Sequence, residues 1–377
     1  MALGVDLIRI SRIEDLIRRK GLSFVQSMVA SKASQPETLA GIFAAKEALS
    51  KALGVGLNRS ILREAEVKKN HLGKPYIVFR HRVYDLSISH DGDYAIAFVS
   101  GDSHVLLERE MVEKLPPRDT KGNKKTFGRL AIVGGSSSMV GCMTLAAEAG
   151  LRTGAGYVHL YVPSEIKEIL QIKTTEAIVH VLDDPTHLGN YEALAMGPGM
   201  ERPIPKLMEE ITERNRPVVM DADGLRWLKE STFFPKQLIV TPHHGEASRL
   251  LDVSEEEIGA DPLSYAKKIS KKFSCVCVLK GAPTYVVYLD RIYVNTTGNE
   301  GMGTAGSGDV LTGMIGAFLA GGASLWDAAV AGVYFHGLSA DEMTRTIGRR
   351  SCKAGDIVEG LKILFREVEQ WGKENEK

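Results

Sequence analysis

GNEGMGTAGSGDVL, residues 298–311, places five glycines and one aspartate directly before an apolar run of helical character. Ordered glycine costs backbone entropy, so this density needs a reason. A glycine-rich turn that leads into a helix offers free N–H groups and the positive end of the helix dipole at one point, and together these bind phosphate. Asp309 would repel phosphate there, so we expect it to be a base, a metal-side group or a proton donor.

Two common nucleotide-binding loops are excluded by the residues themselves. Neither GTAGSGDV (303–310) nor GGSSSMVG (134–141) contains the lysine that a GxxxxGK(S/T) phosphate loop requires. The second segment also departs from the GxGxxG fingerprint of dinucleotide-binding folds. The predicted phosphate site therefore uses another kind of turn.

A series of apolar runs predicts an α/β fold for most of the chain. Continuous apolar runs between helices are typical of a mostly parallel sheet covered on both faces. Open sheets of this kind bind ligands at the carboxyl ends of their strands, where these runs give way to Gly, Pro, Asp or His. A hairpin is predicted around Leu289 and Asp290. The runs are RLAIV (129–133), YVHLYV (157–162), ALAM (193–196), PVVM (217–220), LIV (238–240) and CVCVL (275–279).

A polar segment, residues 106–128, divides the chain and carries Pro116 and Pro117. A double proline in a charged stretch disfavours helix and strand interiors and is typical of a linker. In the part before it, a strand, two helices and three further strands are predicted. We expect a small α+β domain over residues 1–107, a linker over 108–118 and an α/β domain over 119–371.

Composition and charge limit the class of protein. Lys plus Arg and Asp plus Glu both number 47, which argues against nucleic acid held by bulk electrostatics. No run approaches the ~18 apolar residues of a membrane span, and the start lacks the regions of a signal peptide. The four cysteines form no CxxC pair, and Cys275 and Cys277 fit a buried strand. A cytoplasmic protein without nucleic-acid or membrane partners is expected.

The ordered motifs GGSSS, GPGM, DADGL, TPHHGEASRLL, LKGAPT and GNEGMGTAGSGDVLTG resemble the ADP-dependent NAD(P)H-hydrate dehydratase family over residues 117–365. This family is a branch of the ribokinase-like fold. The resemblance implies a repair lyase that removes water from (6S)-NAD(P)H-hydrate and restores NADH or NADPH, with ADP and usually Mg²⁺. No segment resembles the epimerase that often accompanies this dehydratase, so a separate epimerase is expected.

The same resemblance implies roles for individual residues. Asp309 matches the catalytic aspartate, and a proton transfer is expected of it because ADP has no γ-phosphate to give. Cys142 stands where the family usually has alanine. Contacts to the hydrated dinucleotide are implied for Cys142, Gly199, His243 and Asp309, and contacts to ADP for Lys280, Gly281, Ala282, Pro283, Thr284, Gly306, Ser307 and Gly308.

Plainer roles remain open for several of these residues. Asp309 could cap a helix, His243 could be a structural residue at a strand end, and Lys280 could be a surface lysine. Asp221 and Asp223 could position water or magnesium, or could form Asx turns. The alternative function is a small-molecule kinase of the same fold, with Asp309 as the base toward a CH₂OH group.

The first domain carries a second ordered set of motifs. Asp6 lies in the apolar strand GVDLIRI, and Glu47 and Lys51 lie one helical turn apart in FAAKEALSKALG. Glu47 and Lys51 could form a simple ion pair, or Asp6 and Glu47 could hold Mg²⁺. With GKPY (73–76) and SISHDGDYAIAFV (87–99), the set resembles holo-acyl-carrier-protein synthase over residues 2–100.

That resemblance implies transfer of 4′-phosphopantetheine from coenzyme A to acyl carrier protein, a step that serves fatty acid biosynthesis. It places Mg²⁺ on Asp6 and Glu47 and coenzyme A on Lys51, Lys74 and His90, and it implies a homo-oligomer. Ile42 stands where the family usually has arginine. An inactive module for oligomerisation or binding is therefore the alternative for this domain.

Overall fold

The computed structural model describes residues 2–70, 73–184, 188–201, 204, 206–232 and 234–375. The chain divides into two compact units, Met1–Glu108 and Arg109–Lys377. Each unit has its own hydrophobic core, and the two are described separately. None of the helices in the described ranges is both long and apolar enough to cross a membrane.

The first unit is an α+β fold built on a five-stranded antiparallel sheet with the strand order β1-β5-β4-β3-β2. The strand predicted to contain Asp6 is β1, and the predicted helix over residues 36–54 is α3. Its elements are β1 (Leu3–Arg9), α1 (Ile10–Lys20), α2 (Leu22–Met28), α3 (Pro36–Ala52), α4 (Arg59–Glu64), β2 (Glu66–Lys69), β3 (Pro75–Phe79), β4 (Arg82–Asp91) and β5 (Tyr94–Val105).

Helix α3 lies directly on β1 because small residues permit a close approach. A Cβ added at Gly4 would lie 1.8 Å from the carbonyl oxygen of Ala48, so no larger residue fits at this crossing. Proline at the start of α3 and its alanine-rich sequence favour the helix. Lys46 of α3 is buried, and its ammonium donates to the carbonyl oxygens of Val29 and Leu62 at 2.6 Å each. Burial lowers the pKa of Lys46 to about 8.

The second unit is built on a nine-stranded sheet with the order β14-β13-β12-β11-β10-β9-β6-β7-β8. Strands β6–β12 pair in parallel, and β13 and β14 are added antiparallel, so the predicted parallel sheet and terminal hairpin are confirmed. The strands are β6 (Arg129–Val133), β7 (Tyr157–Val162), β8 (Ile178–Val181), β9 (Ala193–Met196), β10 (Val218–Met220), β11 (Leu238–Val240), β12 (Val276–Leu279), β13 (Thr284–Tyr288) and β14 (Arg291–Asn295).

Helices cover both faces of this sheet. Helices α8–α12 pack on one face, and α6, α13, α14 and α15 pack on the other. The helices of this unit are α5 (Arg109–Val112), α6 (Gly141–Thr153), α7 (Ser164–Lys173), α8 (Leu207–Arg214), α9 (Asp223–Glu230), α10 (His244–Leu251), α11 (Glu255–Ala260), α12 (Pro262–Phe273), α13 (Ser307–Ala320), α14 (Leu325–Ile347) and α15 (Ala354–Asn375). Cys275 and Cys277 are fully buried at β12, as the apolar run predicts.

Most of the segment expected to be a linker belongs to the second unit. Residues 109–112 form α5, whose Met111 is buried. A Cβ added at Gly321 would lie 2.9 Å from the ring of Pro116, so the proline packs at the end of α13. The double proline therefore lies beyond the end of α5, and Pro116 packs at the end of α13.

Candidate active site

The carboxyl ends of three neighbouring strands bring the polar motifs of the second unit together. Asp221 follows β10, His243 follows β11 and Lys280 follows β12. His243 and Lys280 form a parallel bridge, and the Lys280 amide donates to Pro242 at 2.8 Å. Since parallel strands end at the same edge, residues that are far apart in the sequence meet there.

A buried ion pair forms the centre of this edge. The Lys280 ammonium donates to Oδ1 of Asp221 at 2.6 Å, and the Thr312 hydroxyl donates to Oδ2 at 3.0 Å. Burial disfavours the charge on Asp221, but Lys280 and these hydrogen bonds hold its pKa below the ordinary value. Burial also works against the charge on Lys280, and Asp221 and Glu246 raise its pKa nonetheless. Lys280 is thus a fixed cation in the site and not a surface lysine.

His243 begins α10 as its N-terminal cap. Its Nδ1 accepts hydrogen bonds from the amides of Gly245 and Glu246 at 3.0 and 3.4 Å, and its own amide donates to Glu246 Oε2 at 2.8 Å. The second half of this capping box brings Glu246 Oε2 to 3.7 Å from the Lys280 ammonium. The His243 side chain is still 54% exposed, so its outer edge is open to a ligand.

The glycines before Asp309 are required by close packing. Gly306 has φ +93°, and a Cβ there would lie 2.4 Å from Leu145. A Cβ at Gly308 would lie 3.2 Å from Asp221 Oδ2 and 3.3 Å from the Lys280 ammonium. The turn thus brings the first-turn amides of α13 close above the buried ion pair, where they favour an anion. Gly306 is the N-terminal cap of α13, so the capping role left open for Asp309 is wrong.

Asp309 lies in the first turn of α13 in an environment that favours its protonated form. Burial, and then the negative charge of Asp221, raise the pKa of Asp309 to about 7, against the opposing effect of Lys280. The carboxyl group is therefore divided between its two protonation states near neutral pH. Such a group can exchange a proton with a ligand in either direction.

A cavity of about 870 Å³ opens beside these residues. Its lining includes the predicted ADP segment Lys280–Thr284, together with Ser307, Gly308 and most of residues 295–304. His336 of α14 also lines it, and Nε2 of its ring lies 3.4 Å from the Ser307 hydroxyl. Burial lowers the pKa of His336 to about 4, so the ring is neutral. His336 and Glu246 were missed from the sequence, because neither lies at a recognisable motif position.

Cys142 and Gly199 contact each other, and the charge of Asp309 acts on the Cys142 thiol. A Cβ added at Gly199, which has φ +64°, would lie 2.7 Å from the Cys142 sulfur. Burial and the nearby charge of Asp309 raise the pKa of Cys142 to about 12, so the thiol stays protonated. Cys142 is therefore within the electrostatic reach of Asp309, whereas His243, another predicted contact of the hydrated dinucleotide, lines the cavity together with the predicted ADP contacts.

In the first unit, Lys51 joins the two carboxylates expected to hold magnesium. Its ammonium donates to Asp6 at 2.7 Å and lies 3.8 Å from Glu47, and the hydrogen bond that it donates to Asp6 raises the pKa of Lys51. Lys74 instead forms an exposed pair with Asp85 at 2.8 Å. His90 lies against α3, where a Cβ at Gly41 would come within 3.0 Å of its ring. No cluster of three metal-binding side chains occurs among the residues described.

The second unit combines a mostly parallel sheet with the glycine-rich N-terminus of α13 at its strand ends. A titratable aspartate, Asp309, lies in the first turn of that helix. These features together are those of a ribokinase-like enzyme. Residues 130–362 match the family model described as NAD(P)H-hydrate dehydratase. The chain belongs to this family. Residues 2–99 match the model of the 4′-phosphopantetheinyl transferase superfamily, which confirms the resemblance of the first unit.

Individual relatives agree with the family model. The bifunctional NAD(P)H-hydrate repair enzyme Nnr of Moorella thermoacetica is 39% identical over 68% of this chain and 53% of its own length. The ADP-dependent (S)-NAD(P)H-hydrate dehydratase of Neisseria meningitidis is 37% identical over 67% of this chain and 89% of its own length. The chain thus spans about half the length of the bifunctional relatives that it matches.

A solved structure shares the fold of the second unit. The ADP/ATP-dependent NAD(P)H-hydrate dehydratase of Bacillus subtilis, crystallised with ATP and Mg²⁺, superposes with a TM-score of 0.65. It is 27% identical and covers 70% of this chain and 97% of its own. The predicted ribokinase-like architecture is thereby confirmed.

Proposed function

We propose that the second unit catalyses the ADP-dependent dehydration of (6S)-NAD(P)H-hydrate to NADH or NADPH. The observation that carries the proposal is Asp309, a carboxyl group with a pKa of about 7 in the first turn of α13, next to the predicted phosphate cradle at Gly306–Gly308. Membership of the dehydratase family supports the substrate class. A separate epimerase for the other form of the hydrate, expected from the sequence, stays part of this proposal.

The residues of the site divide the chemistry between them. A hydroxyl group leaves poorly from carbon unless a proton or a phosphoryl group is added to it. Asp309 donates its proton to that hydroxyl, the C–O bond breaks as water leaves, and the carboxylate then accepts the proton lost from the neighbouring ring carbon as the double bond forms. Cys142 and Gly199, which contact each other, are proposed contacts of the hydrate. Lys280 and the first-turn amides of α13 hold negative charge next to Asp309. The neighbouring Asp221 keeps Lys280 in place and keeps the proton affinity of Asp309 high.

The donors around the cavity fit ADP. Ser307, Gly308 and Lys280 supply amide and ammonium donors for phosphate, and Gly281–Thr284 with residues 295–304 supply a long wall for the nucleoside. Magnesium bound with the nucleotide would be held chiefly by phosphate oxygens. The reason is that Asp221 and Glu246 already accept hydrogen bonds from Lys280, Thr312 and the His243 amide.

An assay with purified hydrate separates this proposal from the kinase alternative. We expect recovery of absorbance at 340 nm with ADP and hydrated NADH, and no phosphorylation of vitamin-like alcohols by ATP. Chromatography of the nucleotide pool reports whether AMP and phosphate form together with NADH. Phosphorylation of an alcohol without any recovery of NADH would replace the dehydratase with a kinase.

For the first unit we propose Mg²⁺-dependent transfer of 4′-phosphopantetheine from coenzyme A to a serine of acyl carrier protein. The observation behind it is that the chain brings Asp6 and Glu47 to one ammonium group, Lys51. Two carboxylates fit Mg²⁺, which commonly completes its coordination with substrate phosphates and water. Lys51, Lys74 and His90 are the proposed coenzyme A contacts.

A labelling assay tests the transferase. Coenzyme A with a fluorescent group on its thiol, Mg²⁺ and apo acyl carrier protein are expected to give labelled carrier protein, and Glu47→Gln is expected to abolish labelling. Absence of labelling by the native chain would favour the alternative, an inactive module for oligomerisation or binding.

A homo-oligomer is also proposed, on the basis of an uncovered apolar surface. Leu3 and Leu7 of β1 and Tyr94 and Phe98 of β5 are 63, 58, 40 and 40% exposed. The strands pair in register, and these side chains share the sheet face opposite α3. Apolar sheet faces of this kind are commonly buried by a protein partner. The cytoplasm remains the proposed compartment.

A further inference from the structure

A polar network on α14 holds one wall of the cavity and is not explained by the proton transfer at Asp309. Both oxygens of Asp341 accept hydrogen bonds from the start of the glycine-rich stretch. The Gly298 amide donates to Oδ2 at 2.8 Å, and the Asn299 side-chain amide donates to Oδ1 at 2.7 Å. One carboxylate therefore anchors two successive residues of the wall.

Asn299 passes this anchoring on to the next turn. Its Oδ1 accepts from the Gly301 amide at 2.9 Å, at the start of the short 3-10 turn Glu300–Met302. Its Nδ2 also donates to the Thr344 hydroxyl at 3.0 Å. The wall segment, residues 298–303, is thus linked to α14 through two of its side chains, Asp341 and Thr344.

The packing leaves this segment little freedom to take another position on α14. A Cβ at Gly298, which has φ +100°, would lie 2.6 Å from the sulfur of Met302. A Cβ at Gly301 would lie 2.9 Å from the Thr344 methyl group. Close packing at Gly298 and Gly301 and the polar network therefore hold the segment in one conformation together. Asn299, Glu300, Met302 and Gly303 of this segment line the cavity.

We propose that Asp341 is a positioning residue for the adenine nucleotide, which acts through Asn299 to keep residues 298–303 preformed as a wall of the cavity. The inference rests on the proposed function in taking ADP as the ligand. A wall that must first be ordered weakens binding, because the cost of ordering is subtracted from the binding free energy. The proton transfer at Asp309 is expected not to depend on the wall, because Asp309 is not among the described residues that line the cavity.

Asp341→Asn tests this role, because the amide keeps the shape of the side chain but cannot accept both hydrogen bonds. We expect the Kd of ADP in calorimetry and the KM for ADP to rise by about tenfold, the loss of one charged hydrogen bond. The KM for the hydrate and kcat at saturating ADP are expected to stay within twofold. Asp327→Asn, a carboxylate at the start of the same helix that pairs with Lys114, is the matched control and leaves all four constants unchanged.

Thr344→Val is a milder second variant, which removes one acceptor of Asn299 without placing a charge change on α14. It is expected to raise the Kd of ADP about two- to threefold in a protein that melts normally. An unchanged Kd in both folded variants, or a fall in kcat without a change in the Kd of ADP, overturns the proposal. Calorimetry uses ADP alone and therefore tests this inference separately from the proposed function. A chain that binds ADP but dehydrates no hydrate refutes the proposed function, and the Kd values of the two variants then still decide the role of Asp341. A chain that binds no ADP refutes both.

Discussion

Asp309 illustrates at the scale of one residue how a site is tuned by its neighbours. Burial and Asp221 raise its pKa from 3.8 to about 7. The folded chain therefore holds a proton that the unfolded chain releases above pH 4. This stabilises the fold fully below pH 4 and is lost as the pH rises through 7.

Asp309→Asn is expected to remove dehydration while keeping ADP binding. Above pH 8 the variant is also expected to be more stable than the native chain by about 1–3 kcal/mol, because a buried charge is gone. Denaturant melts at pH 4 and pH 8 measure the difference, which disappears at pH 4. Retained dehydration would remove Asp309 from its proposed role, and equal stability at pH 8 would contradict its raised pKa.

Site residues within a recognisable motif could be predicted from the sequence. Site residues whose role depends on contacts with distant parts of the chain could not. Lys280 and Asp309 could be chosen because a lysine at a strand end and an acid after a glycine turn are unusual. Glu246 and Asp341 look like ordinary helical acids, and only folding brings them to Lys280 and to the Gly298 amide. The pairing of Asp221 with Lys280 spans 59 positions and leaves no local signal.

At the scale of single elements, His243 combines two roles that can be separated. As the cap of α10 it accepts two backbone hydrogen bonds, and as a cavity residue it is the proposed contact of the hydrate. The sequence suggested these as alternatives, and the exposed outer edge of the ring permits both. The capping box also holds Glu246 near Lys280, so the start of α10 connects the capping role of His243 to the charged groups of the site.

His243→Ala and His243→Asn are expected to differ in stability. Loss of the cap in the alanine variant costs about 1 kcal/mol, a fall in Tm of about 2–4 °C for a unit of this size. Asparagine is a good capping residue and is expected to restore most of that Tm. Thermal melts measure this difference, and the KM for the hydrate is expected to rise in both variants. Normal KM values in the asparagine variant would leave His243 with the capping role alone.

Strands were predicted well where their apolar runs were continuous, and less completely in the first unit. The runs that became β6, β7 and β9–β12 are largely buried, so composition alone identifies them, whereas β8 was not predicted and its Ile178 is 40% exposed. β2 (EVKK) is a mostly exposed edge strand with little apolar signal, and its pairing with β3 supplies what the sequence does not. The contacts of Lys114 with α14 and of Pro116 with the end of α13 were not predicted either, because they join residues that are distant in the sequence.

At the scale of the whole molecule, the two hydrophobic cores and an uncovered apolar face bear on folding and on oligomer formation. Each unit buries its own set of side chains, so each has the means to fold by itself. The face made by Leu3, Leu7, Tyr94 and Phe98 is an uncovered apolar surface of the first unit, since it carries large apolar groups into solvent.

Leu7→Glu together with Phe98→Glu is expected to convert an oligomer into monomers, because two charges cannot be buried in an apolar contact without partners. Light scattering after size-exclusion chromatography measures the mass. Phe24→Glu, at a residue of α2 that is 47% exposed, is the matched control and leaves the mass unchanged. A native chain that is already monomeric would refute the proposed oligomer.

Lys51 gives the first unit independence from any bound ion. Its ammonium offsets part of the negative charge of Asp6 and Glu47 from within the chain, at 2.7 and 3.8 Å. Small domains whose metal ligands have no such internal counterion often unfold when the metal is removed. This unit is expected to keep its melting temperature in a chelating buffer. A divalent cation bound by both carboxylates would take the place of the Lys51 ammonium. Binding of the cation would then free the Lys51 side chain to contact a phosphate of the substrate in the same step.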